Sequence, residues 1–161
     1  MITHSRALEA FEYDGCNLVW RIKASRKTVI GTVAGSFDAD GYVVVKIDGR
    51  RYPAHRLVWL YVKGEFPKGE IDHRNGVKAD NRIGNLRDAT HAENQQNQRR
   101  AHRNNKVGLL GVTRYKGKPR ATILVGGRQV FLGSFATEAD AHHAYLTAKA
   151  KLHKFQTLVA Q

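Results

Sequence analysis

One cysteine, Cys16, stands in 161 residues. The chain can therefore form no internal disulfide, and it has no pair of thiolates for a structural zinc cage. Any metal it binds must take oxygen and nitrogen ligands. No apolar run reaches the roughly 20 residues that a membrane-spanning helix requires, and residues 1–25 lack the basic, apolar and small-residue succession of a secretory signal. A soluble, intracellular protein without a membrane partner is expected. Acidic side chains are scarce, with 14 Asp and Glu against 27 Lys and Arg and a formal net charge of +13. Between Glu93 and Glu138 no acidic residue occurs, while Arg99, Arg100, Arg103, Lys106, Arg114, Lys116, Lys118, Arg120 and Arg128 all fall there. A merely solvated surface mixes signs. A one-signed run points to a polyanionic partner, because neutralising phosphates releases their condensed counterions. Nucleic acid is the partner this balance favours, and nothing in the composition calls for an organic cofactor.

A chain of this length accommodates one ordinary domain or two small ones. Residues 7–13 and 17–22 predict two strands around the turn pair Asp14-Gly15. The β-branched run from Tyr42 to Ile47, followed by Asp48-Gly49 and Arg50-Arg51-Tyr52, is the clearest hairpin. Leu57, Val58, Leu60 and Tyr61 lie at helical spacing within 54–62, and Gly64 and Pro67 stand where that helix should stop. A brief strand from Glu70 then enters the polar turn Arg74-Asn75-Gly76 and a polar loop to Asn85-Leu86-Arg87. Thr90 with Glu93 forms a capping-box pattern that predicts a helix to about residue 100. The polar, basic and aperiodic stretch 101–107 reads as a linker between a module over 1–100 and a second over 108–161. In the second, 111–116, 120–125 and 129–134 predict a three-stranded meander. Thr137 caps a helix from Glu138 to about His153, with Ala141, Tyr145, Ala148 and Leu152 on its buried stripe. The fold class expected is α+β: N-terminal hairpins with a ββα core, then a small antiparallel sheet with one packed helix.

Hydrolysis of a phosphodiester requires a base to activate water, a cation to stabilise charge on the phosphate and leaving oxygen, and a group that fixes the base's tautomer. Asp72, His73, Asn85 and Asn94 offer those functions. Asp72 supplies a hard oxygen suited to Mg²⁺ or Mn²⁺, and an Asn carbonyl can add a second ligand while water and phosphate fill the remaining positions. Asn75 and Asn81 read as loop braces, since short amides satisfy turn backbone well. His55, in an apolar helix, reads as packed rather than reactive, as do His142 and His143.

Ile71-Asp72-His73-Arg74-Asn75-Gly76, Asp80-Asn81-Arg82 and Asn85-Leu86-Arg87, with the upstream Ala54-His55-Arg56-Leu57-Val58-Trp59, resemble the ββα-metal motif of HNH homing endonucleases, common in phage genomes. The resemblance covers about residues 7–100. It implies a double-stranded DNA substrate and one divalent ion, Mg²⁺ or Mn²⁺, with Asp72 and Asn94 as metal ligands. It also implies His73 as general base and Asn85 as the residue that holds the imidazole. The third motif letter here is Asn rather than His, which leaves Asn97, one turn beyond Asn94, as a competing ligand. A phage-encoded enzyme would work in the host cytoplasm, and a monomer is expected.

Gly111-Val112, then Arg128 through Phe135, and Thr137-Glu138-Ala139-Asp140-Ala141 with Tyr145, resemble the AP2 domain over about residues 108–155. That implies a sheet laid in the DNA major groove. The tryptophans usual there are missing. Alternation outward from Ala121, Ile123, Val130 and Leu132 puts Arg120, Thr122, Leu124, Gln129 and Phe131 on the open face. Arg99, Arg100, Arg103, Arg114, Lys116, Lys118, Arg120 and Arg128 are the candidate DNA contacts, to phosphate first. The rival reading is a DNA-binding regulator whose nuclease-like half does not cut. RNA binding ranks lower, because the sequence lacks the paired exposed aromatics of an RNA-stacking sheet.

Overall fold

A computed structural model describes residues 1–153, so the last part of the expected C-terminal module, 154–161, lies outside the described residues. The chain divides into two compact units, one over Met1–Thr90 and a second beginning at His91. The division falls ten residues before the stretch whose composition reads as a linker. Residues 101–107 are tied into the second unit: Asn105 donates through Nδ2 to the carbonyls of Leu109 and Val112. Its Oδ1 accepts from the Val107 N–H, and Val107 packs against that unit's core.

The first unit opens with a helix, α1 (His4–Ala10), where the local pattern predicts strand from residue 7. Thr3 accepts the Arg6 N–H and so caps it, and Ala7 and Ala10 are completely buried. Small side chains let α1 lie close to the helix below it, and this tertiary gain outweighs the weak local strand pattern. β1 (Phe11–Tyr13) and β2 (Leu18–Trp20) form the expected hairpin in shortened form. Its turn is organised by the Asp14 carboxylate, which accepts the N–H groups of Cys16 and Asn17. Those bonds hold the Asp14 pKa below its ordinary value.

β3 (Ser36–Phe37), β4 (Val43–Ile47) and β5 (Arg50–Pro53) make a three-stranded antiparallel sheet in the order β3-β4-β5. Asp48 and Gly49 both adopt positive φ, 49° and 75°, the backbone a two-residue hairpin turn with right-handed twist demands. α2 (Ala54–Lys63) follows directly and ends at Gly64 with φ 82°, as its sequence predicts. Its buried stripe of Leu57, Val58 and Leu60 joins Phe11, Leu18, Val45 and Ile47 in one core. Each such aliphatic side chain contributes roughly 1.5–3 kcal/mol. The unit closes with β6 (Glu70–His73) paired antiparallel to β7 (Leu86–Ala89), through a short 3₁₀ turn at Ile83–Asn85. Composition alone predicts no more than the end of a loop over β7. Its pairing with β6 buries Leu86 and Ala89, a gain that local pattern does not reveal.

The second unit begins with α3 (His91–Gln96), which ends about four residues earlier than expected. None of its residues is buried, so it has no apolar stripe to extend along. β8 (Val112–Tyr115), β9 (Lys118–Val125) and β10 (Arg128–Ser134) form the meander, in the order β10-β9-β8. α4 (Glu138–Leu152), capped by Thr137 on the Asp140 N–H, packs on the sheet. Gly111, at φ 76°, lies against the Tyr145 ring so closely that a Cβ would sit 2.0 Å from a ring carbon; only glycine fits. Two packing expectations change. Leu152 is 45 % exposed, and Lys149 takes the buried position in its place, because the face against the sheet follows Ala141, Tyr145 and Lys149 at four-residue steps. Val130 is 40 % exposed, and the pairing of β10 with β9 shifts register between Phe131 and Gly133.

Candidate active site

Asp72 and His73 end β6 and are both buried, at 4 % and 5 % exposure. Asp72 faces Arg87 directly across the β6–β7 pair. The cross-strand position brings Arg87 Nε to 2.6 Å and Nη2 to 2.5 Å from Asp72 Oδ2. Successive strand residues point to opposite faces, and His73 meets a different set of groups. Its ring centroid lies 5.1 Å from that of His55, edge to face, and 6.0 Å from that of Tyr42. Burial holds the His73 pKa below the ordinary imidazole value, against the raising effects of its Asn81 bond and of Asp72.

The imidazole is held by Asn81, not by Asn85. His73 Nε2 lies 3.2 Å from Asn81 Oδ1 in a buried contact. An amide oxygen can only accept, so Nε2 carries the proton and Nδ1 carries the lone pair. Asn85, expected in this role, braces the loop instead. Its Oδ1 accepts the Asn75 N–H at 3.0 Å and its Nδ2 donates to the Asp80 carbonyl at 2.8 Å. Asn81 thus makes the imidazole contact that the resemblance implies for Asn85, and Asn85 makes bracing contacts of the kind expected of Asn81. The reason is the loop's path: the 3₁₀ turn directs Asn85 back toward Asn75. Asn81, 2 % exposed, is fixed in the interior, with its carbonyl accepting from the Tyr13 hydroxyl at 3.3 Å. Tyr13, on β1, also accepts the Ile83 N–H at 2.9 Å and so supports this loop from the N-terminal hairpin. Asp80 completes the brace, bonded to Asn75 at 2.6 Å and to Arg82. Arg82 is the main cause that brings its pKa down to about 2.

His55 also belongs to this neighbourhood, which helical periodicity could not reveal. It sits in the first turn of α2, edge to face with Tyr42 as well as with His73, and its Nδ1 is buried without a hydrogen-bond partner. Burial, then the nearby His73, pushes its pKa down to about 4 from 6.5. A pH dependence of stability follows. The unfolded chain takes up a proton near pH 6.5, whereas the folded chain resists until about 4. Stability is therefore fully present above 6.5 and falls as pH drops from 6.5 toward 4, by about 2–3 kcal/mol for this one group. The carboxylate losses lie lower, since Asp80, Asp48 and Asp14 all have depressed pKa values. Urea titrations at about pH 7 and about pH 4.5 should show that drop in the wild type and a clearly smaller one in His55→Leu; equal drops would contradict it.

Asn94 lies on α3 in the second unit, partly buried, and Asn97 follows the helix at 6 % exposure. No cluster of three His, Cys, Asp or Glu side chains exists among the described residues. One buried carboxylate with amide oxygens in the sequence fits a hard cation such as Mg²⁺, which keeps most of its water and uses one or two carboxylates.

Residues 52–96 match the family model of the HNH endonuclease. The matched segment runs from the end of the β4–β5 hairpin through α3, and it contains His55, Asp72, His73, Asn81, Asn85 and Asn94. It supports a nuclease, with the DNA substrate and divalent ion that such a family implies. No curated protein and no solved structure matches the chain. Among the described residues no helix is long and apolar enough to cross a membrane.

The basic residues outside the matched segment occupy varied settings. Arg99, Arg100, Arg103, Lys116, Lys118 and Arg128 are exposed. Arg114 is not an unencumbered cation: its Nε lies 2.7 Å from Glu138 Oε1. Arg120 is only half-exposed, its guanidinium 4.9 Å from the Tyr115 ring centroid and 4.6 Å from that of Phe131. Both rings are more than half exposed. The paired aromatics that the sequence pattern does not reveal are thus present on the sheet, with an arginine between them.

Proposed function

We propose that this protein is a divalent-metal-dependent DNA endonuclease of the phage homing type, with a C-terminal AP2-like module that grips the substrate. The observation that carries the reading is the buried imidazole of His73, fixed through Nε2 by Asn81 at the end of the strand that also bears Asp72. A general base needs a defined tautomer and a neutral ring at working pH. Asn81 supplies the first and burial the second. His73 Nδ1 takes the proton of the attacking water. Asp72 would be a protein ligand of one Mg²⁺ or Mn²⁺, which would supply stabilisation of negative charge on the phosphate and the leaving oxygen. Arg87 pairs with the same Asp72 carboxylate across the strands and holds it in place.

Plasmid cleavage with Mg²⁺, with Mn²⁺ and with EDTA tests the reading. Nicking or linearisation that needs the ion supports it. Tight, salt-dependent binding without cutting on plasmid and natural target alike would instead favour a DNA-binding regulator. The site's second asparagine gives a sharper check. Asn81→Ala should lower kcat about 10- to 100-fold, the scale on which groups that orient a reactive side chain act. Asn85→Ala should act mainly on loop stability, and the reverse pattern would return the tautomer role to Asn85.

The exposed cations of the second unit serve as phosphate contacts that position the protein without reading sequence. Each phosphate that a variant ceases to neutralise should make the slope of log binding constant against log salt shallower by up to about 0.9. Combined Lys116→Ala, Lys118→Ala and Arg128→Ala, measured on duplex DNA in EDTA, should flatten it accordingly; an unchanged slope would mean that these charges touch no phosphate.

A further inference from the structure

The sheet of the second unit has two unlike faces. Ala121 and Ile123 of β9 are buried in the core shared with α4, and the alternation of the strand puts Lys118, Arg120, Thr122 and Leu124 on the other side. The register adds Tyr115, paired with Lys118, and Phe131, paired with Thr122. Tyr115, Leu124 and Phe131 are 56, 47 and 53 % exposed, although aromatic rings bring a large gain when buried. The Arg120 guanidinium lies 4.9 Å from the centroid of one ring and 4.6 Å from that of the other, and cation–π attraction holds the three side chains in place.

Such a face is poorly made for the groove of a duplex and well made for unpaired bases. A groove displays base edges, which hydrogen-bonding groups must read. Here Gln129 Nε2 donates to Thr122 Oγ1 at 3.1 Å, and the guanidinium is engaged by the two rings. A base that has left its stack displays its flat π-face instead, and an exposed ring already held in position receives it at little further ordering cost. The charge agrees. No residue of β8, β9 or β10 is acidic, and Lys116, Lys118 and Arg128 stand exposed at or beside their ends, where a phosphate chain can follow them while its bases reach the rings.

We propose that the open face of the β8–β9–β10 sheet binds single-stranded DNA, with Tyr115 and Phe131 stacking on unpaired bases and Arg120 holding both rings ready. The second unit then has two modes of grip: its cations meet phosphate on any DNA, and its open face selects strands whose bases are unstacked. This goes beyond phosphate tethering and needs no cutting, so it does not depend on the nuclease reading.

The test uses the full-length chain in EDTA and the fluorescence anisotropy of labelled oligothymidylate, mixed-sequence duplex DNA and oligouridylate. Tyr115→Leu and Phe131→Leu keep an apolar side chain and remove the π-face. Each should weaken oligothymidylate binding about 5- to 150-fold, the worth of one stacked base, and leave duplex affinity close to that of the wild type. Phe131→Trp should retain affinity for oligothymidylate, and its added indole fluorescence should be quenched on binding, which a ring with a purely structural role would not show. Equal losses on duplex and single strand overturn the proposal and lay the face on duplex DNA. Unchanged binding in both leucine variants, or no quenching in Phe131→Trp, means that the rings meet no base. Ring-dependent binding of oligouridylate tighter than that of oligothymidylate assigns the face to RNA and overturns it as well. A wild type that binds single strands through these rings but never cuts plasmid removes the nuclease reading alone.

Discussion

Replacing His73 by alanine should lower the cutting rate by about 10²- to 10⁴-fold, the usual worth of a positioned general base, while DNA binding in EDTA stays close to wild type. The two effects separate because His73 is buried and makes no contribution to the basic surface. Loss of the ring also removes its contacts with His55 and Tyr42, so folding must be checked alongside by melting temperature. His73→Gln keeps a side chain able to donate to Asn81 but offers no nitrogen lone pair, and it should be as inactive as alanine. Full activity in either variant would remove His73 as the base. The assay is single-turnover plasmid cleavage with saturating Mg²⁺, in which product release does not mask the chemical step.

Asp72→Ala should be the most damaging change of all, because it acts on two levels. It removes the carboxylate proposed to hold the ion, and it takes away the partner that Arg87 meets at 2.6 Å across the strand pair. Breaking a buried ion pair by deleting one member typically costs about 3–5 kcal/mol, and the partial exposure of Arg87, 16 %, puts this case at the lower end of that range. Asp72→Asn separates the levels. It keeps the shape and an acceptor for Arg87 but gives up the negative charge, so stability should recover in part while metal-dependent cleavage stays lost. Chemical denaturation and a Mn²⁺ titration of cleavage measure the two quantities independently. If the Asp72→Asn enzyme cuts normally at ordinary Mn²⁺ concentrations, then Asp72 pairs with Arg87 and does nothing more.

As candidates, these two residues were legible without coordinates because each carries a chemistry few other side chains supply: a hard anionic oxygen next to an imidazole, in a motif of defined order. The assignment of Asn81 and Asn85 was not. Both are asparagines in one polar loop, and residue type says that each can accept and donate, not which of them the chain turns inward. The 3₁₀ turn at Ile83–Asn85 and the Tyr13 hydroxyl from a distant hairpin decide that question. His55 escaped for the same reason: a histidine within an apolar helical stripe looks packed, and it is packed, but against the candidate base.

Local pattern determined the elements whose signal lies within a few residues. Examples are the Asp48-Gly49 hairpin with its two positive φ angles, α2 with its apolar stripe and terminal glycine, the C-terminal meander and the Thr137 cap. It also determined the basic, acid-free middle of the chain, since charge is additive and needs no geometry. Tertiary structure alone decided the features in which distant segments compete for the same space. α1 replaces a strand because two alanines pack closely. β7 emerges from a loop because β6 offers it hydrogen bonds. Lys149 rather than Leu152 turns inward because the face of α4 is set by the sheet beneath it and by the Gln98 carbonyl. The physical reason is common to all three: hydrogen bonds and burial between residues far apart in sequence outweigh local preferences of a few tenths of a kcal/mol to about 1 kcal/mol per residue.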